Sequence, residues 1–450
     1  MPGGYGREGG MKQRAQAQKP LAPRMNADDR LVDTAARLGV PSSPALAGRV
    51  VAIVHPAWHS CGSHQVFVSQ ARAYRSLGAK VISVAIADAP GAIEGSNQHK
   101  SYLAATADLE ADLRLFTGMP LHGILNPRFL RTAWRWLHGN FAEILVETTK
   151  LVPVPEALAL ASRVDLIHCN HFFCMPVAIR LHERHDCPIV LDTHDLQARQ
   201  YVLRNRAGWA LPPVARYEEM LAIELDAMRP ADILVHLNDE ETAAFQKLVP
   251  EGRHALLYPT VNAMPAGPGG DDPVIVASAN SANRLGLVWF LKEVLPRAPG
   301  VPVQIFGNID RQIQWSAPGL FKAHAGLFRG RVEADELRDA YRNAAAVLLP
   351  ATAGHGISIK TIEALSCGAP LIATPLAFRG LGIDAAGLPN VTVAEDAAGF
   401  AAALCRAYAA RHLPGASREL AATRRIYRQQ FAFEAYRKAL WAIMERLVET

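Results

Sequence analysis

Ala346-Val347-Leu348-Leu349-Pro350, Gly354-His355-Gly356-Ile357-Ser358-Ile359-Lys360-Thr361-Ile362-Glu363-Ala364-Leu365-Ser366-Cys367-Gly368-Ala369-Pro370 and Leu371-Ile372-Ala373-Thr374 read as strand, glycine loop, short helix and strand. Apolar β-branched runs on either side suit strands buried on both faces. Gly354 and Gly356 let the backbone approach a ligand, and Ser358 stands where it can cap a helix. A helix starting there aims unpaired N–H groups and a partial positive charge at the loop, which makes an anion site. Lys360 and Glu363 are three apart and share one face of that helix. A cation beside a carboxylate suits a ligand that carries both phosphate and vicinal hydroxyls.

Working outward, the same alternation recurs. Arg49–His55 and Lys80–Ala87 read as strands around a helix over Val66–Leu77 that stops at Gly78. Further strands are predicted at Val164–His168, Pro188–Asp192 and Ala231–Val235, with a helix over about Pro213–Arg229. Residues 259–273, rich in proline, glycine and aspartate, read as a linker. Alternation restarts with Val274–Ala277, a helix over Leu285–Val294, Val303–Phe306 and a helix over Ala334–Asn343. The sequence therefore predicts an α/β protein with two doubly wound lobes, 46–258 and 274–425, joined by 259–273. A helical insertion is expected at about 90–160, a disordered tail at 1–45 and a long amphipathic C-terminal pattern ending in a helix over 426–450.

The 450 residues are half apolar, enough for more than one core. Net charge is +5, but residues 1–24 carry five basic side chains against Glu8, 5 − 1 = +4, leaving about +1 elsewhere. No broad basic face for nucleic acid follows. Cys61, Cys169, Cys174, Cys187, Cys367 and Cys405 have no CxxC spacing and lie mostly in apolar runs, as expected of free thiols in a reducing cytoplasm. The N-terminal stretch lacks the apolar core of a signal peptide, and no run reaches the roughly 18 apolar residues of a membrane span. There is no GxxxxGK[ST] and no HExxH. His182 and His185 read as part of a charged helix face rather than as metal ligands. Arg128–Leu137 mixes arginines with aromatics; it suits either a helix packed on the domain or peripheral contact with a membrane through 128–137.

Gly356-x3-Lys360-x2-Glu363-x4-Gly368-x-Pro370 resembles the donor site of group 1 glycosyltransferases of GT-B architecture. Ser278–Leu287, Asp165–Asn170 with Pro176, Asp192–Asp195 and Gly330–Val332 with Leu337 and Tyr341 extend the resemblance over most of 50–445. It implies two Rossmann-like domains facing a cleft, a C-terminal helix crossing back to the first, and sugar transfer from a nucleoside-diphosphate donor to a glycan, lipid-linked or small-molecule acceptor. It also implies retention, independence of metal and other cofactors, and polysaccharide assembly in a bacterial cytoplasm, at the inner membrane face if 128–137 docks there. Position by position, Lys360 would meet the diphosphate, Glu363 the ribose, and backbone at Gly356, Ile357 and Ser358 the phosphates. Asn283 and Arg284 lie in the equivalent of the first C-terminal-domain loop, with Arg284 as a second cation. His194, with Asp195 beside it, would approach the transferred sugar; His171 and Gly62 line other post-strand loops. Many retaining members have a glutamate eight positions before Glu363, where this chain has His355, so His355 would stand in place of the carboxylate that contacts the donor sugar. An epimerase or hydrolase on the same fold, or a silent nucleotide-sugar-binding subunit, remain the competing readings.

Overall fold

The computed structural model describes residues 31–32, 45–59, 62–136, 141–159, 163–206, 216–413, 415 and 417–448. Among them are two parallel sheets, one of eight strands and one of six. The first runs Leu31–Val32, His254–Leu256, Ile233–His236, Ile189–Asp192, Leu166–Asn170, Val50–Pro56, Lys80–Ile86, Leu113–Thr117. The second runs Phe328–Gly330, Gln304–Phe306, Val274–Val276, Val347–Leu349, Leu371–Ala373, Val391–Val393. Each winds both ways from an early strand, so a crevice opens at the strand C-termini where the order reverses.

Central strands are apolar on both faces because helices cover both. Ala52 and Val54 of Val50–Pro56 enter one core, together with Met175, Val177 and Leu181 of the helix Met175–His185. Val51 and Ile53 enter the other, against Val66, Phe67 and Tyr74 of the helix Gly62–Ser76. That helix begins a turn before Val66, in the predominantly polar stretch where apolar periodicity gives no signal.

Two segments depart from expectation. Within 90–160, Leu113–Thr117 forms the edge strand beside Lys80–Ile86, anchored by the Asp112 carboxylate accepting from Val81 N–H at 2.8 Å. Its alternation is only five residues long and follows an acidic stretch, so it is hidden among helices. Leu31–Val32, inside the expected tail, pairs in parallel with His254–Ala255; most of that tail lies outside the described residues.

The C-terminal pattern is broken into pieces. Ala422–Ile426 and a π-helical turn Tyr427–Phe431 precede an extended Ala432 and the helix Phe433–Val448. Tyr427 and Phe431 are buried in the second lobe, whereas Tyr436, Leu440, Ile443 and Met444 fill the first. Their spacing is one apolar helix face, and each fully buried side chain of that size contributes about 1.5–3 kcal/mol. The chain thus crosses back at Ala432, six residues after the boundary read from sequence. Among the described residues no helix is long and apolar enough to cross a membrane.

Candidate active site

The strand Val347–Leu349 ends in the loop 350–358, and the helix Ile359–Cys367 follows as the pattern requires. Ser358 caps it, its hydroxyl oxygen accepting from Thr361 N–H at 3.3 Å, and Gly368 closes it at φ +70°. Thr361 Oγ1 donates to Ala377 O at 2.8 Å, tying the helix start to the turn after the next strand. Lys360 Nζ donates to both Glu363 oxygens, at 2.8 and 3.0 Å, and Tyr341 O–H donates to Glu363 at 3.2 Å. Burial, and then the adjacent Glu363 charge, push the Tyr341 phenol well above its ordinary pKa, so it remains a donor. Lys360 is half-buried and lines a cavity with Ala282, Asn283, Ser358, Thr361 and Arg379. Ile357, half-buried, packs its side chain on the second-lobe core.

Arg284 does not line this cavity; Asn283 and Leu287 do. One residue of helix turns the side chain by about 100°, enough to take it off the face. Asn280 caps that helix by accepting from Asn283 N–H at 2.8 Å, and Asn283 Nδ2 donates back to Ser278 O at 2.9 Å. The second cation at the cavity is Arg379, from the turn after Leu371–Ala373. Its Nη1 donates to Leu376 O at 2.9 Å, while its buried Nε has no partner among the described residues. Burial lowers its pKa, opposed by the charges of Glu240 and Asp195 from the first lobe. The post-strand position of this turn is the only signal for it in the sequence.

Gly354 and Gly356 have φ of +124° and +68°. A Cβ on Gly354 would stand 2.9 Å from Arg379 Nη2, and one on Gly356 2.2 Å from Asp195 Oδ1. The glycine loop of the second lobe therefore meets the Asp192–Asp195 loop of the first. His355 sits on the exposed rim, its pKa lowered by partial burial and then by the charges of Arg199 and Arg379.

Across the crevice, His171 and His194 follow strands of the first sheet with left-handed φ of 65° and 58°. For non-glycine residues this is a strained backbone, held by its surroundings. Their rings stack at 3.9 Å, with Phe173 stacked on His171 and Trp58 edge-on to it. Both ring nitrogens of His171 are buried without a partner among the described residues. Gly62 opens its helix where a Cβ would meet nothing within 4 Å.

A buried polar network absent from the sequence reading holds His194. Gln70 Nε2 donates to Asn170 Oδ1 and Asp192 Oδ2 at 3.0 and 3.1 Å, and Asn170 Nδ2 returns a bond to Gln70 Oε1 at 2.9 Å. This reciprocity orients Asn170 so that its Oδ1, 2.9 Å from His194 Nε2, accepts from it. His194 thereby has its proton assigned to Nε2 and Nδ1 as a lone-pair acceptor. His194 N–H donates to Asp192 Oδ1 at 3.0 Å. Tyr74 and Met444 extend the network to the C-terminal helix, at 3.2 Å.

Burial, then the neighbouring His171, His168 and His55, hold the His194 pKa well below its ordinary value, so the ring is neutral near pH 7. Burial also pushes Asp192 up to about 7 and, with its helix-capping bonds to Gln197 and Ala198 opposing, Glu224 up to about 7. The signs oppose each other. Carboxylates raised in the folded state contribute stability that is complete below their unfolded pKa and is lost as pH rises through about 7. Histidines lowered to about 3, such as His168 and His171, contribute stability lost as pH falls below the unfolded 6.5. The two contributions oppose each other over much the same range, and Asp192→Asn should remove its share of the stability lost as pH rises from about 4 to about 7, read by thermal melts. A pH dependence over that range identical to wild type refutes the assignment.

Residues 272–410 match the family model described as glycosyl transferases group 1. Comparison with the curated proteins finds no match. Among solved structures, the chain is similar to a sucrose-phosphate synthase from Thermosynechococcus elongatus (TM-score 0.61, 16% identity, covering 89% of this chain and 99% of that one). It is also similar to HepE of Anabaena in complex with UDP (0.58, 13%, 89% and 100%). A third is the pneumococcal O-GlcNAc transferase GtfA with UDP and GlcNAc (0.57, 11%, 89% and 99%). At these identities the likeness is one of fold: two Rossmann-like domains in the GT-B arrangement.

Proposed function

We propose that this chain, whose residues 272–410 match the glycosyl transferases group 1 model, moves a sugar from a nucleoside-diphosphate sugar to a hydroxyl of a glycan, lipid-linked or small-molecule acceptor. The observation that carries this reading is the Lys360–Glu363 pair at the start of a capped helix, with Lys360 lining a cavity whose glycine loop abuts the first lobe. Departure of the diphosphate builds negative charge on phosphate oxygen. Lys360, the helix N-terminus and Arg379 meet that charge in partial burial, where fixed donors act without reorganising. Glu363 is oriented by Tyr341 and Lys360 to receive ribose hydroxyls.

His194 is neutral and serves as an acceptor through Nδ1, orienting a sugar hydroxyl rather than donating a proton as imidazolium. Beside it, His171 offers two nitrogens that have no partner among the described residues. The first lobe takes the acceptor and the second the nucleotide, with closure of the crevice excluding water. Retention, metal independence, and a cytoplasmic role in bacterial polysaccharide assembly are proposed with this reading, on the strength of the resemblance.

The test is release of nucleoside diphosphate over a panel of activated sugars, beginning with uridine donors, with and without hydroxyl acceptors. Acceptor-dependent release with one glycoside anomer, unaffected by chelator, is expected. Acceptor-independent release or interconversion of donors would favour a hydrolase or epimerase. Diphosphate binding by calorimetry without turnover, consistent with His355 in place of a carboxylate, would favour a silent subunit.

A further inference from the structure

The turn Leu121–Leu125 and the helix Pro127–Trp136 follow the edge strand Leu113–Thr117, at the C-terminal end of the parallel sheet from which the His171 and His194 loops also leave, three and four strands further in. Eleven large apolar side chains are exposed among the described residues, and five of them fall within 121–136. They are Leu121 at 67%, Leu125 at 75%, Leu130 at 50%, Trp134 at 60% and Trp136 at 40% exposed. Scattered exposed leucines need no explanation; this concentration does.

The helix is already satisfied on its inner side. Phe129 is buried in the first-lobe core, Thr132 is buried beside it, and Ala133 packs against the same core. Leu130 and Trp134, four apart, then form a second apolar stripe on the outside. Arg128, Arg131 and Arg135 form a stripe along its flank, and residues 121–136 contain no aspartate or glutamate. Arg135 pairs with Glu143 at 2.8 Å, leaving Arg128 and Arg131 as the more outward charges. Exposed tryptophan and leucine bordered by arginines on a surface-lying helix match the boundary between acyl chains and anionic headgroups.

The position of this face also links it to the site. The helix packs on Phe141–Lys150, which packs in turn on Phe172–Cys174, and Thr149 O–H donates to Phe173 O at 2.5 Å. Phe173 is the ring stacked on His171. One intervening helix therefore separates the outer face from the acceptor-side loop.

We propose that Leu121, Leu125, Leu130 and Trp134, flanked by Arg128 and Arg131, seat the chain on an anionic lipid surface. Resting on the transfer reading above, this makes the acceptor a lipid-linked one, presented to the His171 side of the crevice from that surface.

Co-sedimentation of the full chain with phosphatidylcholine vesicles, with and without about 30 mol % phosphatidylglycerol, tests it. Binding is expected to the anionic vesicles and to weaken with salt. Leu130→Ser with Trp134→Ser should lower the partition coefficient about tenfold. Arg128→Gln with Arg131→Gln should remove most of the preference for anionic over neutral vesicles. Nucleoside diphosphate affinity, read by calorimetry, should be unchanged in both, which checks folding and keeps the donor reading separate. The proposal is overturned if the wild-type chain stays in the supernatant, or if the Leu130/Trp134 variant binds equally well. It is overturned too if the face proves to be a self-association surface, seen as a dimer abolished by that variant without vesicle binding.

Discussion

Lys360→Ala is expected to lower kcat for sugar transfer by about 10²–10³-fold, the range seen when one fixed donor to a developing oxyanion is removed. The effect should fall on kcat more than on KM, because leaving-group charge is greatest in the transition state. The fold should survive. Lys360 is half-buried, and its loss leaves Glu363 still bonded to Tyr341 O–H at 3.2 Å. Lys360→Arg should recover little, since the longer planar guanidinium does not fit the two-oxygen grip that Nζ has on Glu363. Circular dichroism would verify folding, and steady-state kinetics would report the effect. Unchanged turnover in Lys360→Ala would falsify the assignment of diphosphate charge to this residue.

Gly286→Ala should be among the most damaging single changes in the second lobe. Its added Cβ would lie 2.0 Å from the Pro350 carbonyl oxygen, a backbone atom that cannot swing aside. The helix Ser281–Trp289 packs there directly on the end of the strand Val347–Leu349, so either the helix or the loop 350–358 must move. Overpacking of this kind costs about 3 kcal/mol. Because Asn283 on the same helix faces Lys360 and Ser358 across the cavity, nucleotide affinity should fall with stability. A lower urea midpoint together with weaker diphosphate binding is the expected result; a midpoint within error of wild type would show that the contact relaxes freely. Gly62→Ala is the control, since its Cβ would meet nothing.

Local chemistry was readable wherever one segment contains the whole device. Ser358 as cap, Gly368 as stop and Lys360 facing Glu363 all follow from spacing within seventeen residues, and the structure has each of them. Arg379 was not readable in that way. Nothing in Phe378-Arg379-Gly380 is special until folding lays the turn beside Gly354, and only then does a guanidinium reach the cavity. The same holds for Gln70, Asn170 and Asp192, whose bonds join residues about a hundred positions apart. Arg284 illustrates the resolution of a motif: an offset of one residue is harmless in a strand list but turns a helical side chain off the face that lines the cavity. Leu113–Thr117 was hidden for a different reason, because a short edge strand need not be apolar on both faces.

The return of the chain at Ala432 has a mechanical consequence. The lobes are joined covalently twice, once after the strand His254–Leu256 and once between Phe431 and Phe433. Tyr258 lies edge-on to Phe431 at 5.1 Å, so the two connections run side by side. Like a door hung on a pair of pins, such a molecule can swing about the line through both joints while resisting twist and sideways slip. Each swing would bring Gly356 back to the same facing residue, Asp195, without searching for register.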